Sequence, residues 1–153
     1  MSFEVNIKLI PTQQVLSQTH HIKASKLDKT ILETIEIFHG LLAEQRLEAA
    51  SAPFGIFHGT VSEQEDGPLE ICLPVNGTVK ASEKIEVKQL PGGQAACVMT
   101  VGPETDFPAI LGAYDAAVDW IQKNGHQAAE SPREIWHSGP GDNPKMEIAW
   151  LFK

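Results

Sequence analysis

Cationic residues are scarce in this chain: 12 Lys and Arg stand against 20 Asp and Glu, a formal net charge of -8. Nucleic-acid binding draws on clustered Lys and Arg that displace counterions from phosphate, so no direct nucleic-acid contact is expected. Cysteine is rarer still. Cys72 and Cys97 lie in apolar, strand-like segments, without the close spacing of a redox or zinc motif, and are expected as buried reduced thiols. No apolar run approaches membrane-spanning length. The start, Met1-Ser2-Phe3-Glu4-Val5-Asn6, has neither the basic beginning nor the apolar core of a signal peptide. The expectation is a cytoplasmic protein with no membrane contact.

Motifs for several chemistries are also missing. Gly139-Pro140-Gly141-Asp142 lacks the lysine and following helix of a phosphate loop and reads as a hairpin turn. His20-His21 are neighbours whose side chains diverge on a strand, and His58 and His137 have no local ligand pair, so neither a metal nor a cofactor is expected. No serine or cysteine sits in a recognisable nucleophile signature.

What is present is periodicity. Residues 4–10 alternate through Val5, Ile7 and Leu9, and 14–22 continue after Pro11-Thr12, as one interrupted strand or a pair. Ser25, with Asp28 three positions on, is placed to cap a helix running to about Leu47, with Leu27, Ile31, Ile35, Phe38 and Leu42 as its apolar stripe. Strands at 53–59 and 69–75 flank the Asp66-Gly67 turn. Strands at 85–89 and 95–101 flank Pro91-Gly92-Gly93. A second helix carries Phe107, Ile110, Leu111, Tyr114, Val118 and Ile121, begins near Pro108 and stops at Gly125. Strands at 132–137 and 145–152 close the chain.

This order is the same unit twice. Pro11 and Gln14 match Pro91 and Gln94 at an offset of 80, Pro53-Ile56-Phe57-His58 match Pro132-Ile135-Trp136-His137 at 79, and Glu70-Ile71 matches Glu147-Ile148 at 77. The expected fold is α+β: duplicated β-α-β-β units, with pseudo-repeats at about 4–75 and 84–153, forming one antiparallel sheet in a single domain, 1–153. Two helices on one face would leave a pocket between them. Within the second repeat, Glu134 lies two residues from Trp136 on one strand face, an acid beside an aromatic surface, as a pocket for an organic cation needs.

Several stretches resemble the GyrI-like small-molecule-binding family, also found as the effector domain of multidrug-responsive regulators and of some AraC-type regulators. They are Leu69-Glu70-Ile71-Cys72-Leu73-Pro74-Val75, Leu90-Pro91-Gly92-Gly93-Gln94-Ala95-Ala96, Pro132-Arg133-Glu134-Ile135-Trp136-His137 and Met146-Glu147-Ile148. The resemblance covers essentially the whole chain and implies a stand-alone domain that binds cationic, amphipathic, drug-like compounds. Its pocket glutamate corresponds to Glu134, and the matching place in the first repeat holds Gly55. Family pockets are often rich in tyrosine. With Tyr114 the single tyrosine, Trp136, Phe57, Phe38 and Phe107 are expected to complete the lining, and Glu70 is the candidate second acid.

The resemblance also implies two other readings. One is a hydrolase of cyclopropane-containing electrophilic toxins, in which Glu134 acts on water or on the ring-opening proton transfer and Trp136 or Tyr114 positions the substrate. The other is a protein-interaction module akin to topoisomerase inhibitors, with a protein partner or a second copy of the chain as its target.

Overall fold

Period-two alternation makes strands here and a three-to-four spacing makes helices, and both periods recur in each half of the chain. The computed structural model describes residues 3–138 and 144–153. It is α+β, with eight strands and two α-helices in the described residues. The strands are β1 (Asn6–Ile10), β2 (Gln13–Ile22), β3 (Phe54–Phe57), β4 (Gly67–Pro74), β5 (Glu86–Leu90), β6 (Gly93–Val101), β7 (Arg133–Trp136) and β8 (Lys145–Leu151). The helices are α1 (Leu27–Glu44) and α2 (Ile110–Lys123). The turn expected at Gly139-Pro140-Gly141-Asp142 lies outside the described residues.

Two compact units are formed, Thr12–Pro91 and Met1–Pro11 with Gly92–Lys153. The first has the antiparallel strand order β3-β4-β2-β5 and carries α1; the second has the order β1-β6-β8-β7 and carries α2. The opening strand of each sequence repeat is therefore paired in the unit built by the other. β1 pairs with β6 through Ile10↔Gly93, and β5 pairs with β2 through Leu90↔Gln13. The other ladders repeat in register too, with Phe54↔Cys72 answered by Arg133↔Ala149 and Val15↔Pro74 by Ala95↔Leu151.

In the second unit, Ile110, Ala113, Ala117 and Ile121 of α2 pack on Ala96, Val98, Ile148 and Phe152. The alanines keep the helix close to the sheet. The opposite sheet face buries Ala95, Cys97, Ala149 and Leu151. In α1 the buried residues are Thr34, Phe38 and Leu42, which align with Ala113, Ala117 and Ile121 at an offset of 79.

Both helix starts differ from the sequence expectation. A 3-10 turn, Ala24–Lys26, precedes α1, whose N-cap is Lys26 without a side-chain cap, so Ser25 does not serve. The turn is anchored instead by the Ala24 amide donating to the Ser62 carbonyl at 3.0 Å. The helix ends at Glu44, before Leu47, because Arg46 takes a positive φ of 58° that helical backbone cannot continue. Phe107 precedes α2 and Leu111 faces outward on it, so neither joins the buried stripe. Gly125 stops that end of the chain's helical run with φ 77°, as expected.

Each unit contains a glutamate clamp. The buried Glu70 accepts from Ser17 Oγ (2.5 Å), Lys88 Nζ (2.6 Å) and His58 Nε2 (2.8 Å). Glu147 is bound by Lys8 Nζ (2.5 Å) and His137 Nε2 (2.8 Å), the repeat equivalents of Lys88 and His58. In both, the lysine comes from the exchanged strand. Burial pushes the Glu70 carboxyl up, but the hydrogen bonds from Lys88, Ser17 and His58 outweigh it and hold the group down at about 2. A depressed carboxyl adds stability above its ordinary range that is lost as acid protonates it. Glu70→Gln should therefore cost about 2 kcal/mol at neutral pH. Urea melts should show the gap to wild type closing as pH falls from about 4.5 towards 2; a constant gap would show that the clamp is not electrostatic.

Candidate functional site

A third acid, half-buried, is held differently. Glu134 lies on β7 opposite Ile148, which places it on the face covered by α2. Period two carries Trp136 to the same face, opposite Met146. From α2, one residue after the buried Ala113, Tyr114 reaches the acid, and its hydroxyl donates to Glu134 Oε2. The Trp136 indole N–H lies 3.4 Å from Oε1, at the long limit of a hydrogen bond. Trp150 of β8 meets Tyr114 edge to face, with ring centroids 6.4 Å apart, and its own N–H is committed to the Glu130 carbonyl at 2.8 Å.

The electrostatics follow from these partners. Burial raises the Glu134 carboxyl above its usual range, and the bonds from Tyr114 and Trp136 only partly counter this. Burial, then the neighbouring Glu134 charge and the bond to it, pushes the Tyr114 phenol well above its ordinary value, so it remains a donor. Tyr114 and Trp136, the partners of Glu134 among the described residues, are neutral, whereas Glu70 and Glu147 each have a lysine. The arrangement sets a carboxylate against one phenol and one indole, with a second indole on the phenol.

Glu134, Tyr114 and Trp136 are thus brought together in one unit. Phe38, Phe57 and Glu70 belong to the other. Phe38 is fully buried there, Phe57 is half-buried, and Glu70 is engaged in its clamp. Phe107 is 78% exposed and lies outside the core of its own unit. Trp150 was not singled out by sequence; its period-two spacing from Ile148 and Met146 was the available signal. At the offset of 79, Tyr114 and Glu134 correspond to Ile35 and Gly55, so the phenol–carboxylate pair occurs in one repeat only. Among the described residues, no group of three or more His, Cys, Asp or Glu could hold a metal, and no helix is long and apolar enough to cross a membrane.

Comparison with known proteins adds to this geometry. The model of the GyrI-like small molecule binding domain matches residues 3–152. No curated protein matches the sequence. Among solved structures, the chain is similar to the EcmrR C-terminal domain, with TM-score 0.82 and 22% identity over 100% of this chain and 99% of that one. It is also similar to SAV2435 bound to tetraphenylphosphonium, with TM-score 0.58 and 15% identity over 98% and 94%. A hydrolase from Listeria innocua aligns with TM-score 0.70 and 10% identity over 99% and 93%.

A raised carboxyl has the opposite sign from the clamps. Its protonated form suits the fold, so the folded state is fully favoured at acid pH and loses stability as pH rises through the raised value. Glu134→Gln removes that penalty while keeping an acceptor for Tyr114. The variant should melt with wild type at about pH 4 and above it at neutral pH. Equal melting temperatures at both would show that the carboxylate carries no burial cost.

Proposed function

The chain belongs to the GyrI-like small-molecule-binding domain family, and from that premise we propose that it binds cationic, amphipathic organic molecules with Glu134 as the charge anchor. The observation that carries this reading is a half-buried, raised carboxylate whose donors, Tyr114 and Trp136, are neutral, with Trp150 behind the phenol. A ligand cation supplies the missing countercharge. Aromatic faces add about 0.5–2 kcal/mol for each well-placed contact. The tetraphenylphosphonium bound by SAV2435 has this chemistry, a delocalised cation wrapped in rings. Resemblance to the EcmrR C-terminal domain is in keeping with a role as an effector-binding domain that reports or sequesters its ligand. The free buried thiols of Cys72 and Cys97 suit work in the reducing cytoplasm.

The phenol–carboxylate bond also favours a second reading, hydrolysis of electrophilic cyclopropanes. A carboxylate with raised proton affinity, next to a fixed hydroxyl, has the properties of a general base for water. Turnover of such a substrate no faster than that of Glu134→Gln removes this reading and leaves binding untouched.

Fluorescence titration with tetraphenylphosphonium tests the main one. Glu134→Gln should weaken binding by at least about tenfold, equivalent to about 1.4 kcal/mol, with an unchanged circular dichroism spectrum. A neutral triphenyl analogue should bind wild type and variant alike. Equal affinity of the two proteins for the cation would remove Glu134 from the site.

A further inference from the structure

The two exchanged strands are equivalent in register, yet they end their sheets differently. Phe152 N–H donates to the Gln94 carbonyl at 3.0 Å, so Gln94, and with it Ala96 and Val98, turn their backbone groups towards β8. Gly93, Ala95 and Cys97 then face β1, where their partners are Ile10, Lys8 and Asn6. It follows that Ile7 and Leu9 direct their N–H and C=O groups away from the sheet. Among the described residues, β1 has no strand on that side. The same two residues expose apolar side chains, Ile7 at 40% and Leu9 at 78%.

β5 provides an internal comparison. Its equivalents of Ile7 and Leu9 are Val87, half-buried, and Gln89, polar and exposed. A sheet edge with a polar side chain in that place resists pairing, whereas a flat apolar edge invites it. The β1 edge is moreover complementary to itself. With a two-fold axis at Ile7, Ile7 exchanges both backbone bonds with its copy, Leu9 falls opposite Val5, and Asn6 falls opposite Lys8. No like charges meet. Lys8 is already neutralised by Glu147 on the far sheet face, and residues 5–10 contain no acid.

We propose that β1 is a homotypic interface, through which two copies of the chain pair antiparallel about Ile7. A six-residue edge buries little area, so the dimer is weak and concentration-dependent. Because each copy carries a net charge of -8, added salt screens their repulsion and strengthens it.

Sedimentation velocity over a concentration series, at low and high salt, reads the dimer directly. Ile7→Pro removes the outward-pointing donor and spares the β1–β6 ladder, whose bonds come from Asn6, Lys8 and Ile10. Leu9→Lys alters only an exposed side chain and guards against misfolding of the first variant. Each should weaken dimerisation by at least about tenfold, while Gln89→Lys on β5 leaves it unchanged. Ile7→Cys should form a disulfide-linked dimer on oxidation, since directly opposed residues bring their Cα atoms within bridging distance. Wild type that stays monomeric throughout, a dimer unaffected by Leu9→Lys, or an Ile7→Cys chain that fails to cross-link would each overturn the proposal.

Discussion

The clamp of lysine and histidine on a buried glutamate is the interaction on which the rest of the architecture depends. Each glutamate is on the strand next to the third strand of its repeat. It receives a histidine from just beyond that third strand and a lysine from the strand donated by the other repeat. In the second clamp one carboxylate ties Lys8, 139 residues away in sequence, to His137, 10 residues away. Burying an acid is tolerable because hydrogen-bonding donors replace its water, and the depressed carboxyl values record that they more than do so. The exchange of β1 and β5 is thereby locked by charge as well as by backbone pairing.

Glu134 shows what the same residue type becomes with no cation bound to it among the described residues. Its donors are a phenol and an indole, both neutral, and its carboxyl shifts upward where the clamped ones shift downward. An acid in this state costs the fold stability, a cost that a structural residue could avoid by substitution. The first repeat has done so, with Gly55 and Ile35 in place of Glu134 and Tyr114. The clamps are thus duplicated and shifted downward, whereas the phenol–carboxylate pair is single and shifted upward, and it is this contrast on which its proposed role in binding rests.

Much of this was legible in the sequence, for reasons that also mark its limits. Period two put Glu134 and Trp136 on one face, and the drifting offset placed their repeat partners correctly. The alternation in residues 4–10 and 14–22 was readable as one interrupted strand or a pair, and two strands form, but the pattern specifies faces and is silent on partners. β1 pairs with β6, more than 80 residues away, and not with β2. Ser25 had the right chemistry for a cap but lost to a tertiary bond from Ala24 to Ser62. Phe107 fits a helical stripe by spacing, yet the helix begins three residues later and leaves it in solvent. Tyr114 was legible as a stripe residue and a candidate pocket ring, but not as the partner of Glu134; that bond depends on the distance between α2 and the sheet, which Ala113 and Ala117 set.

Duplication supplies two copies of every position, and the chain has used the second copy to relax constraints one at a time. Where both copies carry load, as at Lys8 and Lys88 or Glu70 and Glu147, the residues remain alike. At the helix-facing site the copies diverge in charge, and at the free edges they diverge in polarity, Leu9 against Gln89. Both divergences are unfavourable for an isolated chain: a half-buried carboxylate with neutral donors and an exposed leucine on an edge strand. The two proposals relieve each from outside the chain, with a positive charge in one case and an apolar strand in the other. A fold that satisfies its own polar groups through duplicated clamps can carry two such local deficits.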